Sequence, residues 1–381
     1  MRKTILALMS LLSIMACEGR DNPTNDNDGK EDAVVKAPHI FVGKTEGYHT
    51  FRIPAIVKTK AGTLLAFCEG RKVSGSDTGD INLVLRRSTD GGNTWGSLIT
   101  VWDDKNNTCG NPSPVVDPVT GRVHLLMTWN YSTDGKAGGD FNKPGATVDT
   151  RRVFYTYSDD DGKTWTTPEE ITSSTKKEDW GWYATGPCHG IILNGAAHKG
   201  RIVIPCDHVV IGGSGYSHVI YSDDSGKTWH IGGEVKGGNE SCVAELPDGR
   251  IIITCRVGSG HRMLAYSSDG GETFTKGVDN KNLPDPRCQA SILDVTYQSK
   301  GALIHSNCAD SKSRVNMMIR GSVDNGETWR TGQLVWDKNT AYSDMVMIDD
   351  NTIGLFYENG ETSSYQRISF ERVPLNFAFI K

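Results

Sequence analysis

Ser88-Thr-Asp-Gly-Gly-Asn-Thr-Trp95 returns as Ser158-Asp-Asp-Asp-Gly-Lys-Thr-Trp165, Ser222-Asp-Asp-Ser-Gly-Lys-Thr-Trp229 and Ser322-Val-Asp-Asn-Gly-Glu-Thr-Trp329. A fifth copy, Ser267-Ser-Asp-Gly-Gly-Glu-Thr-Phe274, ends in Phe. Repetition of this kind means one supersecondary unit used several times. Each copy has turn chemistry. Ser and Asp side chains bond nearby amides, Gly supplies positive φ where the chain reverses, and the closing aromatic anchors the turn on hydrophobic strands. Strand-like runs precede the copies, among them 152–157, 218–221 and 263–266. The mean spacing, about 58 residues, is room for a four-stranded antiparallel blade. The expected fold is therefore an all-β, six-bladed β-propeller over residues 38–381, with one blade lacking a recognisable box. The run 367–373 is expected to pair with 39–42, closing the ring and removing exposed sheet edges.

Composition agrees with one large ring. The chain has 381 residues, 43 glycines, 8% aromatics and a formal charge of −5. Nothing in that balance attracts nucleic acid, and no basic cluster stands out. Arg2 and Lys3 precede an apolar run over 5–16, the layout of a signal peptide and too short to span a bilayer. Ile14-Met-Ala-Cys17 resembles a bacterial lipobox, so residues 1–16 are expected to be removed and Cys17 lipidated. Residues 17–37 form a polar tether in this reading. The expected location is the periplasm or cell surface, with the membrane reached only through the lipid on Cys17 and the protein a monomer. Eight cysteines remain: Cys68, Cys109, Cys188, Cys206, Cys242, Cys255, Cys288 and Cys308. Their spacings make no zinc pattern and fix no disulfide pairing.

The chemistry starts at Phe51-Arg-Ile-Pro54. Phe-Arg-Ile-Pro ahead of repeated Asp-containing boxes resembles the bacterial and animal exo-sialidases, over residues 38–381. The resemblance implies a six-bladed propeller and the hydrolysis of terminal sialic acid from sialylated glycans, with no cofactor. It makes Arg52 the first of three arginines that grip the sugar carboxylate. The second falls at Arg256, in Thr254-Cys-Arg-Val-Gly258, and the third at Arg314, in Ser313-Arg-Val-Asn-Met317. Guanidinium suits that task, because it stays protonated and offers two parallel charge-assisted hydrogen bonds to a carboxylate.

A carboxylate nucleophile would be repelled by the substrate's own carboxylate, and sialidases use a Tyr instead. Ala341-Tyr-Ser-Asp344 matches the family's tyrosine segment and points to Tyr342. A phenol with a pKa near ~10 needs a base. The family places a Glu about sixteen residues before the second arginine, which is Glu240, with Glu245 the competing carboxylate. The acid/base is expected in the loop Ser76-Asp-Thr-Gly-Asp80, at Asp77, with Asp80 as the rival. Arg71 matches an arginine that faces the sugar's 4-hydroxyl region. Glu358 matches a Glu that holds the first arginine. Arg262 and Arg320 are nearby arginines without a matching place. Trp129, Trp180 and Trp182 are candidates to line the pocket, and His189, His208 and His218 lack metal-ligand spacing. Sialyl transfer, inter- or intramolecular, draws on much the same residues. A non-catalytic glycan-binding propeller would need the boxes but not the Arg, Asp, Glu and Tyr set.

Overall fold

Runs of Val, Ile, Leu and aromatics, buried on both faces, become the inner strands of this protein, as in Thr50–Lys58 and Leu64–Arg71, where nearly every residue is buried. Outer strands are half exposed, as in Val278–Pro284. The computed structural model describes residues 35, 36, 38–132 and 151–381. The segment 1–16, Cys17 and most of the tether 17–37 lie outside the described residues.

Among the described residues the sheets carry six four-stranded antiparallel blades, with the short pairings of Val35–Lys36 to Thr94–Trp95 and of Ile191–Ile192 to Ile202–Val210 outside that count. Blade 1 is Thr50–Lys58, Leu64–Arg71, Ile81–Ser88 and Ile99–Trp102. Blade 2 is Thr108–Val116, Val123–Asn130, Arg152–Ser158 and Glu169–Glu170. It joins blade 1 through one parallel bridge, Ile81 to Thr108. Blade 3 is Trp180–Thr185, Ile202–Val210, Gly215–Ser222 and His230–Lys236. Blade 4 is Ser241–Glu245, Ile251–Cys255, His261–Ser267 and Val278–Pro284. Blade 5 is Ser291–Tyr297, Lys300–Cys308, Val315–Ser322 and the first part of Gln333–Asp349. That long strand changes partners at Asn339, and its second part opens blade 6 with Thr352–Gly360, Arg367–Pro374 and His39–Val42. The expected pairing of the two chain ends is present, in the register His39 to Ser369.

Every octapeptide lies between the third and fourth strands of its blade. This accounts for the missing sixth copy. The third and fourth strands of blade 6 come from opposite ends of the chain, so no turn joins them. In the box at 222–229, Ser222 Oγ accepts the Gly226 N–H at 2.9 Å and donates to Asp224 Oδ1 at 2.8 Å. Asp224 accepts the Thr228 N–H and hydroxyl at 2.8 and 2.6 Å. The box glycine serves a second purpose, packing on the preceding blade. A Cβ on Gly226, whose φ is +82°, would sit 2.7 Å from Tyr155 Oη of blade 2. One on Gly92 would sit 2.1 Å from Phe370 of blade 6. The Trp rings press the same way: Trp165 on Phe67 at 5.6 Å, Trp229 on Tyr155 at 5.6 Å, and Trp95 on Phe370 at 5.1 Å. The boxes therefore clamp each blade to its predecessor, and the first clamps blade 1 to blade 6.

The box carboxylates of Asp160 and Asp224 titrate at about 2; burial raises them, but hydrogen bonds from Thr164 or Thr228 and from Ser158 or Ser222 outweigh it. A depressed folded pKa stabilises above the unfolded value near ~4 and is lost as pH falls through about 2. The double variant Asp160→Ala/Asp224→Ala should therefore melt below the parent at pH 6, with the gap closing toward pH 2. A Tm-against-pH series reads this directly.

Candidate active site

Inner strands begin, and second strands end, at the same end of each blade. Residues at those positions converge on the axis there. Arg52 opens the inner strand of blade 1 and Arg71 ends its second strand. Glu240 immediately precedes the inner strand of blade 4 and Arg256 follows its second strand. Arg314 stands between the second and third strands of blade 5, and Tyr342 lies on the inner part of blade 6. With Asp77, from the loop after Arg71, these seven residues line one cavity of about 290 Å³.

The first arginine is fixed from behind. Arg52 Nε donates to Glu358 Oε1 at 2.7 Å and its terminal nitrogen to Oε2 at 3.3 Å. Glu358, fully buried in blade 6, also accepts the backbone N–H of Ile53 and of Tyr342 at 2.9 and 3.2 Å. One carboxylate therefore positions the guanidinium and the backbone of the tyrosine beside it. Burial works against the Arg52 charge, but Glu358 outweighs it and holds the pKa well above the usual arginine value. The guanidinium carbon lies 5.0 Å from the Tyr342 ring centroid and 4.0 Å from that of Tyr365. Tyr365 also receives a hydrogen bond from Arg314 at 2.8 Å. A single half-buried phenol thus spaces two of the arginines, and no sequence pattern marked it.

Tyr342 Oη donates to Glu240 Oε1 at 2.6 Å and accepts from Arg256 at 2.9 Å, while the same Arg256 nitrogen reaches Glu240 Oε2 at 2.5 Å. The three groups form a closed triangle. Burial first, and then the Glu240 charge, push the phenol well above its usual pKa, against the pull of Arg256 and Arg52. At rest the phenol keeps its proton, and that proton points at a carboxylate. Arg256 faces the oxygen on which negative charge would appear if the proton left.

Arg71 donates through two nitrogens to Glu69 Oε2, at 2.9 and 2.7 Å, and through the third to Asp77 Oδ1 at 2.8 Å. Glu69 is the unmarked partner here. It lies two residues before Arg71 on one strand, hence on the same face, and its other oxygen accepts the Asn111 N–H at 2.9 Å. Asp77 sits at the rim with 69% of its side chain accessible. Partial burial raises its pKa, but Arg71 and Arg52 outweigh that and hold it below the usual carboxylate value.

The rivals separate in space. Asp80 pairs with Lys72 at 3.0 Å, outside the cavity. Glu245 accepts the Asn194 and Gly195 N–H groups at the far ends of the inner strands. It lines a larger opening of about 860 Å³ there, with Lys58, Asp294 and Asp349, and none of the arginines named above. Arg262 is buried against the Cys288 carbonyl, and Arg320 faces Met318 Sδ. Of the tryptophans, Trp182 reaches the cavity. Trp180 is stacked on His208 at 3.5 Å, and Trp129 donates to Asp104 at 2.8 Å. Trp182 Nε1 and Asn239 Nδ2 both donate to Asp207 Oδ2 at 2.8 Å. Asp207 is fully buried, and burial together with the Glu240 charge pushes its pKa up to about 8. Arg151, beneath Trp182 at 4.1 Å, completes that wall. Neither Asp207 nor Arg151 carried a sequence signal.

The family model described as a BNR repeat-like domain matches residues 62–356. An exo-alpha-sialidase of Aspergillus fumigatus is 32% identical over 360 residues, covering 87% of this chain and 85% of its own length. Among solved structures, the Hadza microbial sialidase Hz136 superposes with a TM-score of 0.79 at 29% identity, over 87% of this chain and 67% of its own. An intramolecular trans-sialidase from Ruminococcus gnavus shares the fold, with a TM-score of 0.74 at 19% identity over 91% of this chain and 98% of its own.

Removing Glu358 leaves Arg52 buried without its counter-charge. Glu358→Ala should cost about 3–5 kcal/mol of stability. Glu358→Gln, which keeps an acceptor for the backbone N–H groups, should cost less. Urea unfolding of both variants measures the difference.

Proposed function

This chain belongs to the exo-α-sialidase family, and we propose that it is an exported, lipid-anchored exo-α-sialidase. In this reading it hydrolyses terminal α-linked sialic acid from glycoproteins, glycolipids and oligosaccharides, with retention of configuration. The observation that carries the reading is the triangle of Tyr342, Glu240 and Arg256 set among Arg52 and Arg314.

The substrate's carboxylate is anomeric, so whatever binds it sets the position of the reacting carbon. Arg52, Arg256 and Arg314 receive it, and Glu358 keeps Arg52 from reorienting. The bound anion offsets part of the field that depresses Asp77, so the Asp77 pKa rises as the site fills. Protonated, Asp77 donates to the leaving oxygen, and the glycosidic C–O bond breaks. Tyr342 attacks the anomeric carbon from the other face as its proton passes to Glu240 Oε1, and Arg256 stabilises the charge developing on the phenol oxygen. Asp77, now a carboxylate, takes a proton from water, the water oxygen displaces the tyrosyl group, and the departing Tyr342 oxygen takes its proton back from Glu240. Two inversions give retention. Arg71, held by Glu69, keeps Asp77 at the rim. Neutral phenol as nucleophile adds no fixed negative charge beside the substrate's own carboxylate.

Time-resolved NMR of an α2,3-linked sialyllactose tests the reading. Free sialic acid released first as the α-anomer is expected. A first-formed β-anomer overturns retention, an anhydro sugar redirects the activity to intramolecular transfer, and binding without turnover makes the protein a lectin. Asp77→Asn should lose about 10²–10⁴-fold in kcat/KM on sialyllactose. It should lose far less on an aryl sialoside, whose phenolate leaves without a proton. Comparing the two substrates separates proton donation from a general loss of binding.

A further inference from the structure

Trp180 and Trp182 stand two apart on one strand and would share a face, yet of the two only Trp182 reaches the cavity. The cause is a β-bulge. Against Ile202–Val210, Trp180 pairs with Val210 and Tyr183 with His208, so Gly181 and Trp182 stand opposite Val209 alone. A bulge of this kind re-aims a side chain. Here it turns the Trp182 indole toward the cavity, where Asp207 Oδ2 accepts its Nε1–H at 2.8 Å and Arg151 backs the ring at 4.1 Å. The same oxygen accepts from Asn239 Nδ2 at 2.8 Å. Asn239 lies in the connection from blade 3 to blade 4 and immediately precedes Glu240. Its carbonyl accepts the Ser217 hydroxyl, and Ser217 is the cross-strand partner of Asp207. Two paired residues of blade 3 thus hold Asn239 by side chain and by backbone. The Glu240 carbonyl in turn accepts the Arg256 N–H at 2.9 Å. The segment carrying the base is fixed from both sides, and on the blade 3 side it shares its anchor with the indole.

We propose that Asp207 is a positioning residue for the base that activates the tyrosine: through Asn239 it sets where Glu240 stands, and through Trp182 it ties that placement to the wall of the cavity. The role rests on the sialidase reading above. Asp207 is fully buried, and its other oxygen, Oδ1, meets no hydrogen-bond donor among the described residues. A buried carboxylate with one oxygen unfilled is costly, and Glu240 faces it with a like charge. Arg151 and Arg256 face it with opposite charges, while Tyr183 and Cys206, both pushed up by burial, stay neutral beside it. Burial and the Glu240 charge prevail and push Asp207 up to about 8. Below that pH the neutral acid accepts both hydrogen bonds without adding a negative charge to a site built for an anion. Above it, the ionised form repels both Glu240 and an anionic substrate.

The test measures kcat and KM on α2,3-linked sialyllactose on either side of pH 8, for the parent, Asp207→Ala and Asp207→Asn. Asp207→Ala releases Asn239 and Trp182, and should lose about 10²-fold in kcat, the cost of displacing a reacting group by roughly 1 Å. Asp207→Asn keeps an acceptor for both donors and should recover most of that loss. In the parent, KM should rise above about pH 8, and in Asp207→Asn that rise should vanish. A residue that only supported the fold would leave the KM profile unchanged by Asn. The Trp182 indole N–H, followed by nitrogen-15 NMR and assigned with Trp182→Phe, should shift with a midpoint near pH 8 in the parent and not in Asp207→Asn. This readout needs no turnover, and with the Asn profile it decides the matter if Asp207→Ala does not fold. A folded Asp207→Ala with the parent's kcat, an Asp207→Asn with the parent's KM profile, or an indole resonance that stays fixed through pH 8 in the parent overturns the role. A parent that releases no sialic acid fails the sialidase reading itself, and the role falls with it.

Discussion

The carboxylate of Asp344, buried on the axis, is the contact on which the arrangement of the blades depends. From blade 6 it accepts the Ile56 N–H of blade 1 at 2.9 Å, the Ser291 hydroxyl of blade 5 at 2.8 Å, and His189 through its backbone N–H and ring at 3.1 and 2.7 Å. Gln289 reinforces it, bonding the Pro187 and Ser343 carbonyls and accepting the Ser343 N–H. A buried anion is costly unless its lone pairs are filled, and these are. The cost of leaving any of them empty favours one mutual placement of the blades. Tyr342 lies two residues before Asp344 on the same strand, at the irregularity between Thr340 and Ser343, and lines the cavity. The tie between the blades and the Tyr342 phenol sit on one strand, so a shift that disturbs the blades also moves the phenol.

The second buried carboxylate, Glu358, does the same for the cavity. It holds Arg52, the Ile53 amide and the Tyr342 amide together. The cavity is thereby built before any ligand enters. Its cationic groups need no reorganisation to meet an anion, which is how electrostatic preorganisation lowers a barrier. The opposing charges are also sorted by depth. Glu240 and Glu358 are buried and paired, while Asp77 is at the rim, where its protonation can follow the state of the site.

What the sequence made legible was local. The octapeptide encodes a complete hydrogen-bonded turn within eight residues, so five copies could be read without any tertiary information. The sixth blade has no box because it is assembled from both chain ends, which the pairing of 367–373 with 39–42 anticipated. The Arg, Asp, Glu and Tyr set was readable through the family resemblance that Phe51-Arg-Ile-Pro54 and the boxes carry, and those residues converge because each stands at the same end of its blade. Glu69, Tyr365, Asp207 and Arg151 were not readable, since each matters only through a neighbour brought close by folding. Tyr365, for instance, meets Arg314 across 51 residues of chain.

The central claim is that a neutral phenol, Tyr342, is the nucleophile and that Glu240 takes its proton. The most direct measurement uses a 3-fluorinated sialosyl fluoride, whose electron-poor ring slows release of the glycosyl-enzyme, followed by digestion and mass mapping of the labelled peptide. The account predicts a sugar adduct on Tyr342, formed much more slowly in Glu240→Gln. An adduct on Glu240 or Asp77, or steady turnover with Tyr342 unmodified under trapping conditions, would contradict it.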